Sequence, residues 1–284
     1  TDEVLIAAAE PAGGDQLMVI DPKYPFFSKY LGTHSPAHGL RSITKRGAQL
    51  YLYGRDGSRA DRLYTVSALG PDCSTPSLTS TSGDRGREAY AMVSVGTNII
   101  LFVQNNGATT VYTMSISNEN AATQVRTIPY SVFGADTDSQ GRVWVSHANA
   151  TSSSVVRLGA QFQPEEEVVI QQSSVERPAS GTTDRIGIRG IAFDSQNHLY
   201  AAIYTVDSNG FVAYNLFELN RSSKPYVGVF SQSLTSFDKL RDMVFVPRSF
   251  DSCLAEPTQP SSKVYEAHLQ YETTGGYVPE FSQL

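Results

Sequence analysis

The stretch "ADTDSQGRVWVSHAN", residues 135–149, returns in nearly the same form as "IAFDSQNHLYAAIYT" at residues 191–205. Each copy has an apolar lead-in, Asp-Ser-Gln, two turn-forming residues and then a run of alternating aliphatic and aromatic side chains. The copies begin at Asp138 and Asp194, 56 residues apart. Alternation is the period of a strand, and Asp, Ser, Gly and Asn are residues that reverse one. A unit this long holds more than one hairpin, so the chain reads as an array of β units.

Working outward, runs of the same kind recur at "VLIAAAE" from Val4, "QLYLYG" from Gln49, "NIILFVQ" from Asn98, "RVWVSH" from Arg142 and "HLYAAIY" from His198, with a weaker "SCLAE" from Ser252. A second strand follows each, from "QLMVID" at Gln16 to "KVYEAHL" at Lys263, across links such as "NNGAT" and "VDSNG" that suit hairpin turns. Ahead of most units lies a third apolar segment: "HGLRSIT", "AYAMVSV", "FGADTD", "RGIAFD" and "RDMVFV". With an outer strand such as "YVGVFS", each unit has the four strands of a propeller blade. The expectation is an all-β, six-bladed β-propeller filling residues 1–284 as a single domain, with "SCLAE" and "KVYEAHL" forming the sixth blade. The alternative is five blades, with "RDMVFV" closing the amino-terminal one. In the six-bladed reading, "YVPEFSQL" at the carboxy end is the candidate strand for closing the ring.

Composition agrees with this reading. The chain has 284 residues, 40% of them hydrophobic and only 18% charged, enough for a large core. A net charge of −6 gives no broad basic field, which argues against nucleic acid as a partner. No apolar run approaches the roughly 20 residues of a membrane span. The first residue is Thr, and two sequons are present at Asn149 and Asn220 beside two cysteines, Cys73 and Cys253. Together these favour a secreted or secretory-pathway protein, glycosylated at the two asparagines. A Cys73–Cys253 disulfide would close a 180-residue span and restrain the unfolded chain by about 4–5 kcal/mol.

The units "GADTDSQGRVWVSHAN" and "RGIAFDSQNHLYAAIYT" resemble blades of the six-bladed NHL, virginiamycin-lyase and gluconolactonase group. The length, sequons, low charge and the strands "HGLRSI" and "KLRDMVFVP" are similar to a narrower set of secreted fungal propellers: the lipid-binding yeast allergen type, the trichothecene-cluster accessory protein, and the hetero-Diels–Alderases of tropolone sesquiterpenoid pathways. This second resemblance implies a natural-product enzyme of secondary metabolism, needing no cofactor, that dehydrates its substrate to a quinone methide and adds it to a terpene alkene. Resemblance at the level of blades carries fold further than function.

In a propeller the starts of the innermost strands face one another across a central channel. The candidates there are His34 and His38, Arg87, Glu88 and Tyr90, Tyr130 and Phe133, Arg189, and Arg241 with Asp242. For the implied reaction, His38 is the proton donor, Arg189 and Arg241 steady the oxygen-bearing ring, and Glu88, Tyr90, Tyr130 and Phe133 bind a hydrophobic, oxygenated substrate. Each has a plainer use: His38 can shape a turn, Arg241–Asp242 can lock two blades, and the aromatics can simply pack. His147, beside a sequon, reads as a rim residue, and Glu165–Glu167 as a solvated edge. Nucleophile-elbow, zinc-protease and phosphate-loop motifs are absent. Asp136, Asp138 and Asp194 could contribute to a calcium site, but the last two stand in the repeated turn, where Asp serves architecture, and no metal is expected. Two other functions stay open: a non-catalytic carrier of hydrophobic ligands, and a metal-dependent lactonase or lyase.

Overall fold

The computed structural model describes residues 2–10, 16–22, 28–33, 37–56, 61–68, 77–80, 89–116, 118–148, 153–170, 183–207, 212–219, 228–234 and 239–254. They form five four-stranded antiparallel sheets. Blade I contains β1 (Glu3–Glu10), β2 (Gln16–Ile20) and β3 (Ser28–Thr33). Blade II is β4 (Ala37–Arg46), β5 (Gln49–Asp56), β6 (Asp61–Ala68) and β7 (Ser77–Ser80). Blade III is β8 (Ala89–Val95), β9 (Asn98–Asn105), β10 (Ala108–Ser115) and β11 (Asn118–Ile128). Blade IV is β12 (Val132–Thr137), β13 (Val143–Ala148), β14 (Ser153–Leu158) and β15 (Pro164–Ile170). Blade V is β16 (Thr183–Phe193), β17 (Leu199–Asp207), β18 (Val212–Leu219) and β19 (Gly228–Leu234). The last strand, β20 (Lys239–Pro247), pairs antiparallel with β1, Leu5 opposite Phe245, and so becomes the innermost strand of blade I.

That pairing corrects the expected six blades to the alternative five. The ring of innermost strands runs β20, β4, β8, β12, β16 and back to β20, each touching the next. The core repeats the count. Five buried clusters fill five seams: Ile6, Leu40, Leu52 and Val244 between blades I and II; Tyr53, Met92 and Leu101 between II and III; Phe102, Val132 and Val156 between III and IV; Trp144, Ile191 and Phe217 between IV and V; and Leu5, Met18, Tyr200 and Phe245 between V and I. Strand period explains how one strand serves two seams. Along β1, Val4, Ile6 and Ala8 face blade II, while Leu5, Ala7 and Ala9 face blade V. "SCLAE" begins as a short 3-10 turn, Ser252–Leu254, rather than as a strand. "KVYEAHL" and "YVPEFSQL" lie outside the described residues.

The repeated text is a repeated turn. In both copies the first residue's N–H donates to the fifth residue's carbonyl (Asp138 to Arg142, Asp194 to His198, both 3.1 Å), and the fourth residue's N–H donates back to the first (2.8 and 2.9 Å). The fourth residue must therefore be left-handed. It is Gly141 at φ 73° and Asn197 at φ 69°, the residue types that tolerate this region. Asp138 Oδ1 accepts from the Gln140 and Arg142 N–H groups, while Oδ2 accepts from Arg142 Nε and Trp144 Nε1. Asp194 repeats the frame with the Gln196 and His198 N–H groups and with His198 Nδ1 at 2.9 Å. These turns link the innermost strand to the second strand of blades IV and V, so they sit at the end of the channel where the innermost strands finish.

Candidate functional site

Every innermost strand breaks register with its neighbour, once on β4, β8, β12 and β20 and twice on β16. Ala89 and Ala91 face Val103 and Phe102, which leaves Tyr90 over; Val132 and Gly134 face His147 and Ser146, which leaves Phe133 over. On β20, Leu240 and Asp242 face Ala9 and Ala8, leaving Arg241. Wider breaks leave Arg189 with Gly190 on β16, and Gly39, Leu40 and Arg41 on β4. A bulge re-aims the extra side chain out of the ladder. Here it does so five times at one level of the ring.

The five residues are Arg41, Tyr90, Phe133, Arg189 and Arg241, all half-buried. Contacts run between neighbouring innermost strands: the Arg41 guanidinium lies over the Tyr90 ring at 4.9 Å, and that of Arg189 over the Phe133 ring at 4.9 Å. The second strand of its own blade supports Arg189, with the Tyr204 ring 5.0 Å away. Such stacking is worth about 0.5–2 kcal/mol per pair and fixes the guanidinium plane. These side chains form a collar of three cations and two aromatic rings at the channel entrance.

Directly below the collar the innermost strands pack closely against one another. The next residues along the strands are Ser42, Ala91, Gly134, Gly190 and Asp242, small in four of five cases. A Cβ on Gly134 would lie 2.6 Å from the Arg189 carbonyl oxygen, and one on Gly190 would lie 2.9 Å from the Asp242 Cα. Asp242 is the exception and is fully buried. Its Oδ2 accepts from Ser42 Oγ at 3.0 Å and from the Ile43 N–H, while Oδ1 accepts from the Met243 N–H. Burial pushes its carboxyl well above the usual range against those three donors, and the charge of Asp136 adds to the rise.

At the exit a polar cavity of about 190 Å³ is lined by Glu3, Thr44, Lys45, Ser94, Asp136 and Phe193 among others. Its acids are tied to neighbouring blades: Asp136 accepts from the Phe193 N–H at 2.7 Å, and Glu3 from the Ser195 N–H at 2.8 Å. Desolvation raises the Asp136 carboxyl to about 6 despite those bonds and the nearby Lys45. For Asp138 burial also pushes upward, but the Trp144 and Arg142 donors win and hold it below the ordinary value. With both oxygens of Asp138 and of Asp194 already accepting, the repeated carboxylates act in the turn. Among the described residues no group of three His, Cys, Asp or Glu is placed to hold a metal.

The structure thus brings together Tyr90, Phe133, Arg189 and Arg241, and adds Arg41. His38 lies on β4 opposite Arg55, three residues before Arg41. Tyr130 stands apart, in the seam between blades III and IV, where its ring meets His147 at 4.6 Å. Burial and Glu167 raise its hydroxyl to about 12, opposed by Arg126. Its ring packs against the cluster that fills that seam. Glu165, Glu166 and Glu167 are exposed, and Arg157 pairs with the first two. His34, Cys73, Arg87, Glu88, Asn149 and Asn220 lie outside the described residues, as does the Cys253 side chain. Sequence reading passed over Arg41, although the signal was present: Leu-Arg-Ser at 40–42, Ile-Arg-Gly at 188–190 and Leu-Arg-Asp at 240–242 share an apolar residue followed by arginine, with a small residue next in the first two. Ala-Tyr-Ala and Val-Phe-Gly match it with aromatics.

No protein-family model and no curated protein matches this sequence. Solved propellers do match its fold. A GH43 glycoside hydrolase with endo-xylanase and exo-arabinofuranosidase activity superposes with a TM-score of 0.54 at 12% identity, over 82% of this chain and 51% of that one. This chain therefore spans about half the length of that enzyme. An endo-arabinase from Bacteroides thetaiotaomicron gives 0.47 at 12% identity, covering 73% and 85% of the two chains. The Dos1 propeller gives 0.41 at 9%, covering 79% and 68%. At such identities the likeness establishes the propeller fold alone. Among the described residues no helix is long and apolar enough to cross a membrane.

Proposed function

We propose that the entrance collar binds a small, oxygenated and partly apolar molecule and that this protein is a propeller enzyme acting on it. The observation that carries the reading is the fivefold bulge, which sets three arginines and two aromatic rings at one level of the channel. Aromatic faces hold a planar apolar ligand; guanidinium edges hold its carboxylate or phenolate oxygen. The glycoside hydrolase that shares the propeller fold is compatible with an enzyme, without indicating the reaction.

The sequence resemblance suggests the chemistry to test. A phenol bearing a benzylic alcohol would lose water: its C–O bond breaks, His38 gives a proton to the leaving hydroxyl, and the phenolic proton returns to His38. The resulting quinone methide then adds an alkene in a hetero-Diels–Alder step. Arg189 and Arg241 would carry the developing oxyanion, and the closely packed waist would limit water, which competes for the intermediate. The deciding assay is incubation with 2-hydroxybenzyl alcohol and a terpene alkene. Cycloadduct above the uncatalysed rate, with turnover lowered about 100-fold or more in His38→Ala at near-constant affinity, supports the enzyme. Binding with the uncatalysed rate and stereochemistry would make the protein a carrier.

A further inference from the structure

A third turn has the hydrogen-bond frame of the two Asp-Ser-Gln turns. Between β14 and β15, the Gly159 N–H donates to the Gln163 carbonyl and the Phe162 N–H donates to the Gly159 carbonyl, both at 2.8 Å. The fourth position, glycine or asparagine in the other two, is here Phe162 at φ 58°. A bulky side chain in the left-handed region costs on the order of 1–2 kcal/mol, so the ring is held where backbone preference opposes it. Strain of this kind concentrates at ligand clamps and functional sites.

The ring is only half-buried, and it walls a second cavity. This space, of about 400 Å³, opens between blades III and IV and is lined by Val95, Ile100, Val143 and Leu158 as well as Phe162. Its volume lies in the range of small-molecule sites, about 300–1,000 Å³. The charges at its rim are already matched: Arg142 to Asp138, and Arg157 to Glu165 and Glu166. An anion would have to displace a carboxylate there. An uncharged ring meets a hydrophobic floor and an aromatic wall.

We propose that the seam between blades III and IV is a binding site for an uncharged planar aromatic molecule, with Phe162 as its stacking wall. The site is separate from the entrance collar and independent of the function proposed for it. Titration of the full chain with the neutral fluorescent probe N-phenyl-1-naphthylamine tests it. Saturable binding is expected, weakened at least tenfold by Phe162→Gly and by Val95→Trp, which plugs the cavity while leaving Phe162 in place. Phe133→Ala and Arg189→Met in the collar should leave it within twofold. Phe162→Gly relieves the strain as it removes the ring, so its thermal midpoint should stay close to that of the parent; should it fail to fold, Val95→Trp decides. Non-saturable binding, equal affinity in the parent and the Val95→Trp chain, or loss only in the collar variants would each overturn the proposal.

Discussion

The two mouths of the channel are built on the same five strands and differ in what the backbone does there. At the entrance each innermost strand bulges, and a long side chain, Arg41, Tyr90, Phe133, Arg189 or Arg241, leaves the ladder. At the exit Asp136 accepts from the backbone of blade V, Glu3 from that of Ser195, and Thr44 Oγ1 from the Ser94 N–H. Short polar side chains thus join blade to blade where the strands end, and long ones leave the ladder at the bulges. At the entrance two guanidiniums, Arg41 and Arg189, stack on aromatic rings, which is why the collar is the better candidate for ligand chemistry.

The waist between the two mouths offers the sharpest test of this contrast. Gly134→Val should cost about 3 kcal/mol or more in chemical denaturation, because its Cβ would lie 2.6 Å from the Arg189 carbonyl oxygen and backbone cannot yield as a side chain can. Next in size is the exit turn. Asp138→Ala strips the acceptor from four N–H groups, the Gln140 and Arg142 backbone, the Arg142 guanidinium and the buried Trp144 indole, and should cost about 2–4 kcal/mol in the same measurement. If it also weakened ligand binding at the collar as strongly as a collar substitution, the division of labour between the mouths would fail.

A smaller effect separates the mouths by pH. The Asp136 carboxyl sits at about 6 in the folded chain against 3.8 in its ordinary state. A raised carboxyl contributes stability that is complete below the unfolded value and is lost as pH rises through the folded one. Unfolding free energy should therefore be greater at pH 5 than at pH 7, by roughly 1 kcal/mol from Asp136 alone, with Asp242 acting in the same direction. A flat profile over that interval would mean that neither carboxyl is held in a low-dielectric position.

Much of this architecture was legible in the sequence because strand periodicity and turn chemistry are local. The Asp-Ser-Gln turn, the hairpin arms and the innermost segments all announce themselves within ten residues. The blade count does not, because β20 pairs with β1 more than 230 residues earlier, and nothing local in "RDMVFV" distinguishes the start of a new blade from the end of the first. The collar was readable in four of its five members. His38 drew attention from Arg41 because histidine advertises chemistry, whereas a bulge is a property of pairing. Tyr130 shows the converse: proximity to β12 in sequence placed it at the channel, and packing turned it into the seam.

The most direct test of the central claim is spectrophotometric titration with 4-nitrophenolate, a planar oxygenated anion, of the parent chain and of Arg189→Met, Arg241→Met and Lys45→Met. The collar predicts that the two arginine variants lose at least tenfold in affinity, while Lys45→Met, at the exit cavity, stays within twofold. Equal affinity across all four proteins, or loss confined to Lys45→Met, would contradict the assignment of the entrance as the ligand site.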